Sequence, residues 1–432
     1  MRWPHSPAAR LKQFSARTPG LPPPAAHGYV RAMPALSARV GRTELAATFA
    51  QAARARALRA EGHDVISLSL GEPDFPTPEH VVEAAHAAAL RGETKYPPLA
   101  GTEALRAAVH RKYLRDQKLD VPQAAILITN GGKQAIFNVV MAVINPGDEV
   151  IIPAPAWAGY EQTIQFAGGT TVFVPCPQEK GFVLQPEALE AAITPRTRLL
   201  LLNYPNNPSG AAISPAGLEA LAAVLRRHPD IWVLSDDIYE HLLFDHFNYA
   251  TLAAIAPDLA DRTVTMTGVS KSYAMTGWRI GFAALPPALI KPCTVVQATA
   301  TSGVSSIGQA AALAALEGPQ ELLHERATAY QSRRDLVVSR LNEIPGIECH
   351  KPEGAFYVFP SIAGCLGKTT PAGRLLTNDT DFTAALLDEA HVGVVQGAAF
   401  AMSPHIRIST ATAEATLARA CERIAAFCAT LR

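Results

Sequence analysis

The sequence has no C-x-x-C pair. Its six cysteines (Cys176, Cys293, Cys349, Cys365, Cys421 and Cys428) are scattered, which excludes a thiolate metal knuckle or a spaced disulfide framework, so no metal is expected and the thiols read as reduced, in a cytoplasmic protein. No apolar run approaches the roughly 20 residues that cross a bilayer, so no membrane span is expected. Charge of one sign is not in excess: 38 Lys and Arg balance 38 Asp and Glu, which removes the electrostatic footprint of a nucleic-acid binder. No internal repeat is visible, and a solenoid is excluded with it. Acidic residues are absent from the first 43 positions, which carry several Arg and Lys and the run Pro22, Pro23, Pro24. Such a segment buries little apolar surface, so residues 1–33 are expected to be a disordered extension. A transit peptide and an over-long gene start upstream of Met33 are the alternatives.

What is present describes an ordinary globular enzyme-sized chain. Its 432 residues, 48% hydrophobic and 18% charged, exceed one small core and fit a large domain with a smaller partner. From about residue 65, short apolar runs alternate with helical patterns, which predicts an α/β fold on a mostly parallel sheet. Strands are expected near residues 126–129, 149–152, 199–203, 232–235, 264–267 and 280–283. A helix is expected from Pro215, with Ser214 as N-cap and Arg226 and Arg227 last. Residues 76–320 are expected to form the large domain. Residues 34–75 and 321–432 are expected to form the smaller α+β domain, closing on a helix over residues 413–431.

Polar residues just past apolar strands are the site candidates, because ligands in open α/β sheets collect at the strands' carboxyl ends. Thr263–Gly281 runs from a strand into Ser270-Lys271, with Arg279 eight residues on. A lysine in a desolvated or cation-rich crevice has a lowered pKa and condenses with a carbonyl. Ser270 and Arg279 beside it suit an anion such as a phosphate. In Val233-Leu-Ser-Asp-Asp-Ile-Tyr-Glu, Asp236 ends a strand where a carboxylate can keep a heterocyclic nitrogen protonated, and Tyr239 follows three residues later. Paired aspartates also serve as loop or helix caps. Asn207, in Leu202-Asn-Tyr-Pro-Asn-Asn-Pro-Ser-Gly, precedes a proline that holds it extended and able to aim its amide at a ligand. In Ile126-Leu-Ile-Thr-Asn-Gly-Gly-Lys-Gln-Ala, a glycine pair opens a helix and presents the backbone N–H groups of Gly132 and Lys133 to an anion, without the spacing of an ATP or NAD motif. Trp157 offers a face for stacking, or else belongs to the core. Arg407 sits inward on a short strand and needs an anion, either a substrate carboxylate or a core Asp or Glu.

Together these stretches, with Leu70-Gly-Glu-Pro-Asp-Phe-Pro-Thr-Pro, Lys95-Tyr-Pro-Pro-Leu-Ala-Gly and Pro352-Glu-Gly-Ala-Phe-Tyr, resemble the aspartate aminotransferase family of fold-type-I pyridoxal-phosphate (PLP) enzymes. The resemblance runs from about Leu36 to the C-terminus and is closest to the bacterial aspartate and prephenate aminotransferase branch. It implies that Lys271 is the Schiff-base lysine and proton shuttle, that Asp236 pairs with the pyridine nitrogen, and that Tyr239 and Asn207 hold the phenolic oxygen. It gives the phosphate to Gly132, Lys133, Ser270 and Arg279, with Tyr96 arriving from the neighbouring subunit of a symmetric homodimer. Trp157 stacks on the ring, and Arg407 clamps the substrate α-carboxylate with Asn207 and Gly71. The implied reaction is ping-pong transfer of an amino group from an amino acid, an aspartate-like dicarboxylate being favoured, to a 2-oxo acid such as 2-oxoglutarate.

The chain departs from the family at the substrate side. Ala156 stands where the family has Tyr before the stacking Trp, and Ala158 and Gly159 follow it, which makes the cofactor edge roomier. Arg42-Thr-Glu-Leu-Ala-Ala-Thr-Phe-Ala replaces a Ser/Thr-rich segment, and Thr301, Ser302 and Ser306, none cationic, lie where a distal-group contact is expected. An aromatic or pathway-specific amino acid is the alternative substrate. A PLP lyase, replacement or condensing enzyme is the alternative reaction on the same scaffold, because fold does not fix reaction type.

Overall fold

The computed structural model describes residues 37–43 and 48–432. The extension expected over residues 1–33 lies outside the described residues, and so does much of the replaced segment that begins at Arg42.

The chain from Ala38 to Arg432 forms one compact unit built on three sheets. Among the described residues the strands are β1 (Ile66–Ser67), β2 (Ile126–Thr129), β3 (Glu149–Ala154), β4 (Thr170–Pro175), β5 (Thr197–Asn203), β6 (Trp232–Asp236), β7 (Thr263–Gly268), β8 (Gly281–Ala284), β9 (Tyr357–Val358), β10 (Val392–Gly393), β11 (Val395–Gln396) and β12 (Ile406–Ser409). The main sheet has the order β2-β8-β7-β6-β5-β3-β4. Pairs from β4 through β7 are parallel, whereas β8 runs antiparallel to both β7 and β2. Strands such as β5, with Leu199, Leu200, Leu201 and Leu202 all buried, are covered on both faces by helices and so read as unbroken apolar runs.

Three features differ from the sequence expectation. Strand β4 is an additional edge strand; its residues are mostly half-buried or exposed, and its apolar run is limited to Val172-Phe173-Val174. The helix Pro215–Leu225 begins as expected, with Ser214 Oγ accepting from Gly217 N at 3.1 Å. It ends two residues before the expected Arg227: Leu225 is last, and Arg226 is the C-cap and pairs with Glu219 and Asp258. The C-terminal helix spans Glu414–Ala429, shorter at both ends than the expected 413–431.

A separate apolar core joins Ile66 and Leu68 to residues between Val337 and Cys428, including Leu341, Phe382, Ile408 and Ile424. The small sheets β1-β10 and β11-β12-β9 lie in this part of the chain. Among the described residues no helix is long and apolar enough to cross a membrane, and no group of three or more His, Cys, Asp or Glu is placed to hold a metal ion.

Candidate active site

The parallel strands end at a cavity of about 500 Å³, lined among others by Gly71, Gly132, Lys133, Trp157, Asn207, Asp236, Tyr239, Ser270, Lys271, Arg279 and Arg407. Every site candidate from the sequence is therefore brought together except Tyr96. That residue is 97% exposed, lies between the helices Glu79–Leu90 and Glu103–Gln117, and does not line this cavity.

Asp236 is the last residue of β6, opposite Asn203 of β5. Its Oδ2 accepts from the Tyr160 hydroxyl at 2.7 Å and its Oδ1 from Ile238 N at 3.2 Å. Asn203 Nδ2 donates to the Asp236 carbonyl at 2.9 Å, fixing the strand end. Burial pushes the Asp236 carboxyl up to about 6, against the opposing pull of those hydrogen bonds and of the Lys271 charge, because a desolvated carboxylate is disfavoured. A cation placed beside it would restore its ionised form.

Lys271 follows β7 by three residues and points across the cavity, donating from Nζ to the Gly71 carbonyl at 2.5 Å. Burial, helped by the Arg407 and Arg279 charges and opposed by Glu72 and Asp236, lowers its amine to about 8. That leaves a useful fraction neutral and nucleophilic near neutral pH.

Arg407 projects inward from β12 and is buried. Nη1 donates to Asn207 Oδ1 at 3.0 Å and Nη2 to the Ser69 carbonyl at 2.6 Å, while Nε has no partner. Its guanidinium lies 4.8 Å from the Tyr357 ring and 4.9 Å from Phe400. No carboxylate of the described residues pairs with it, so the core ion pair that the sequence left open is not formed. Burial pulls its pKa down, the mark of a cation short of a counter-charge.

At the opposite wall, Gly131 (φ +77°) caps the helix Gly132–Val143, whose first N–H groups face outward as an anion cradle. A Cβ on Gly131 would sit 2.5 Å from Arg279 Nη2 and would have to adopt the left-handed φ, so glycine leaves the guanidinium in place without strain. Arg279 is tied down by the carbonyl of Thr276 at 2.9 Å. The Lys133 ammonium lies 5.3 Å from the Trp157 ring. The Asn207–Pro208 bond is cis, and Asn207, its Oδ1 taken by Arg407, keeps Nδ2 free as a donor.

Two tyrosines escaped the sequence reading. Tyr160 stands one helical turn after Trp157, its ring edge-on to the indole at 5.2 Å. Tyr357, inside the Pro352-Glu-Gly-Ala-Phe-Tyr stretch, shares a 3.0 Å hydrogen bond with the Tyr239 hydroxyl. Its own hydroxyl occupies the space a Gly71 side chain would need. Burial raises Tyr239 well above its usual range, so it acts as a neutral hydroxyl. The only signal for either residue was a helical or motif neighbour, since contact with the site depends on packing between distant segments. For Tyr160→Phe, the buried carboxylate loses a donor, and turnover is expected to fall about tenfold with the fold intact; steady-state kinetics beside a melting curve checks this.

A buried acid at one end, an indole face above, an anion cradle with Arg279 at the other end and an unsatisfied guanidinium on the far wall fit a flat phosphorylated heterocycle carrying a carboxylate-bearing substrate. That arrangement, on a mostly parallel sheet, is the fold-type-I transferase architecture. The family model for aminotransferase class I and II matches residues 63–424, and the chain belongs to that family of aminotransferases.

Among curated relatives, an aspartate aminotransferase of Rhizobium meliloti (strain 1021) is 54% identical over 87% of this chain and 92% of its own length. An aspartate/prephenate aminotransferase of Cereibacter sphaeroides is 52% identical over 92% of this chain and 99% of its own. A crystal structure of the aspartate aminotransferase from Rhizobium meliloti superposes with a TM-score of 0.90 at 52% identity, covering 92% of this chain and all of that one.

Proposed function

We propose that this chain binds PLP in the cavity and transfers the amino group of L-aspartate to a 2-oxo acid such as 2-oxoglutarate, as a cytoplasmic homodimer with shared active sites. One observation carries the reading: Lys133, Lys271, Arg279 and Arg407 all line one cavity, and none pairs with a carboxylate within 4 Å among the described residues. Four cations against Asp236 and Glu72 suit the combined charge of a phosphate and a dicarboxylic substrate. The names of the close relatives point to aspartate, and in some cases also to prephenate. Residues 34–75 and 321–432 form the smaller domain in this reading, which the core shared by Ile66, Leu68 and the C-terminal segments supports.

PLP, when bound, supplies an electron sink that stabilises negative charge at the substrate α-carbon. Gly132, Lys133, Ser270 and Arg279 would hold its phosphate, with the partner subunit's Tyr96; Trp157 would cover the ring face. Asp236, positioned by Tyr160 and Ile238 N, keeps the ring nitrogen protonated. Tyr239, a neutral hydroxyl set by Tyr357, and the free Nδ2 of Asn207 donate to the phenolic oxygen. Arg407 binds the substrate α-carboxylate, oriented by Asn207 and the Ser69 carbonyl, with Gly71 beside it. Lys271 would hold the cofactor, and its amine, lowered to about 8, is suited both to accept the proton from the substrate α-carbon and to give it back.

Arg407→Lys tests the substrate end. A single ammonium cannot reproduce the two-point guanidinium contact, so the KM for aspartate is expected to rise about a hundredfold with a smaller change in kcat. An unchanged KM would place the α-carboxylate elsewhere.

A further inference from the structure

The carboxylate beside Tyr239 faces away from the cavity into a node that the reaction does not explain. Glu240 is 5% exposed and Lys112, on the helix Glu103–Gln117, 2%; their charged atoms are 2.5 Å apart. Two neutral donors complete the carboxylate. Gln117 Nε2 shares Oε2 with Lys112 at 2.5 Å, and Thr267 Oγ1 donates to Oε1 at 2.7 Å. Taking both ions out of water costs several kcal/mol per ion, and well-packed apolar residues commonly serve stability as well or better. Stability alone therefore gives no reason for the pair.

What the node connects supplies one. Glu240 belongs to the turn that follows Asp236, where Glu240 N donates to the Asp237 carbonyl and Leu242 N to that of Tyr239. Thr267 lies on β7 four residues before Lys271, and its hydroxyl is also 3.3 Å from the Asp237 carbonyl. The helix that carries Lys112 grips β7 a second time, through Tyr113 Oη on the Thr265 carbonyl at 2.9 Å. Asp237, the second acid of the pair seen in the sequence, also turns to this side: Ser235 Oγ donates to it at 2.7 Å and Gln117 Nε2 lies 3.5 Å away. Asp116 and His241 close the outer face, with Asp116 3.6 Å from Lys112 and 3.3 Å from His241, which is itself 4.0 Å from Glu240. Asp236, Tyr239 and Lys271 thus depend on one buried junction behind the sheet's carboxyl edge.

We propose that the Lys112–Glu240 pair, with Thr267 and Gln117 on the same carboxylate, is a positioning device that sets the distance between the β6 end, bearing Asp236 and Tyr239, and the β7 end, bearing Lys271. This rests on the reading that those three residues act at PLP. None of the node's own residues touches substrate, so the effect must travel through the two strand ends.

The test uses the PLP-loaded protein, and reads kcat and KM for aspartate, the pH midpoint of the visible cofactor absorbance and the melting temperature. Each single charge deletion removes the close counter-ion of a buried charge, leaving Lys112 only Asp116 at 3.6 Å or Glu240 only His241 at 4.0 Å, and is expected to melt below the parent. The double variant Lys112→Met/Glu240→Met removes both charges and is expected to melt within a few degrees of the parent. Its kcat is expected to fall about tenfold or more, because small displacements of reacting groups are costly, with KM changed less than about threefold and the absorbance midpoint displaced. Thr267→Val, which keeps both charges, is expected to move kcat and the midpoint the same way by less. A folded double variant with the parent's kcat and midpoint overturns the proposal. If the double variant does not accumulate folded, parental values for Thr267→Val overturn it instead. A parent that shows no visible cofactor absorbance removes the PLP reading, and this proposal with it; an active, absorbing parent indistinguishable from its variants removes the positioning role alone.

Discussion

Lys271→Ala lowers turnover with aspartate by about 10⁴-fold, the loss expected when the one amine able to move the α-proton is removed, and the visible absorbance of the lysine-bound cofactor disappears. A residual rate within tenfold of the parent would move the proton transfer to another residue. The same side chain gives a stability signature in the cofactor-free protein. Burial lowers the amine from 10.5 to about 8, so between those values the unfolded chain binds more protons than the folded one, and stability rises with pH across that window. Below pH 8 the folded state carries the full cost of a buried ammonium. Lys271→Met, which removes that charge, is therefore expected to melt above the parent at pH 7, by an amount that shrinks as pH rises from 8 towards 10.5. Melting curves of the two proteins over that range check the sign.

Asp236→Asn is expected to lower kcat/KM by about 10³-fold, the scale of losing a preorganised charge at a buried reacting centre. Asparagine keeps the shape and can still accept from Tyr160, but it cannot hold the ring nitrogen protonated. Here too the folded chain without cofactor gives an independent reading. Burial raises the carboxyl from 3.8 to about 6, so an ionised Asp236 costs stability above pH 6, and that cost fades as pH falls from 6 towards 3.8. The stability difference between variant and parent is expected to be largest near pH 8 and to shift steadily across that lower window. A variant with parental kcat/KM would show that another group controls the ring nitrogen.

The sheet was legible where its strands are buried on both faces. Leu199–Leu202 announces itself as an apolar run, and Asn203, the polar residue that ends it, lies at the cavity; Val264–Thr267 alternates Val and Met with Thr and leads within four residues to Lys271, which also lines the cavity. Strand β4 stood out less because its apolar run is only Val172-Phe173-Val174, between two threonines and a proline, on an edge whose residues are mostly half-buried or exposed. The antiparallel course of β8 depends on how the chain turns after Arg279, which local pattern does not encode. In the site, Lys271, Asp236 and Arg279 were legible from strand ends and charge. Arg407 was legible as an inward cation, while its two possible counter-charges were separated only by the structure, which gives it Asn207 and a carbonyl and no carboxylate. Tyr160, Tyr357 and the Lys112–Glu240 node were silent in the sequence: each acts across segments tens to hundreds of residues apart, where no periodicity links them.

The most direct test of the account mixes purified PLP-loaded protein with L-aspartate and no oxo-acid acceptor, following the visible cofactor absorbance and the products. That absorbance is expected to vanish as about one equivalent of oxaloacetate forms per chain, since ping-pong transfer completes a half-reaction without an acceptor, and to return on adding 2-oxoglutarate. Absorbance that persists with aspartate but is lost with an aromatic or other amino acid would contradict the substrate, and release of ammonia or carbon dioxide without a matching oxo acid would contradict transamination itself.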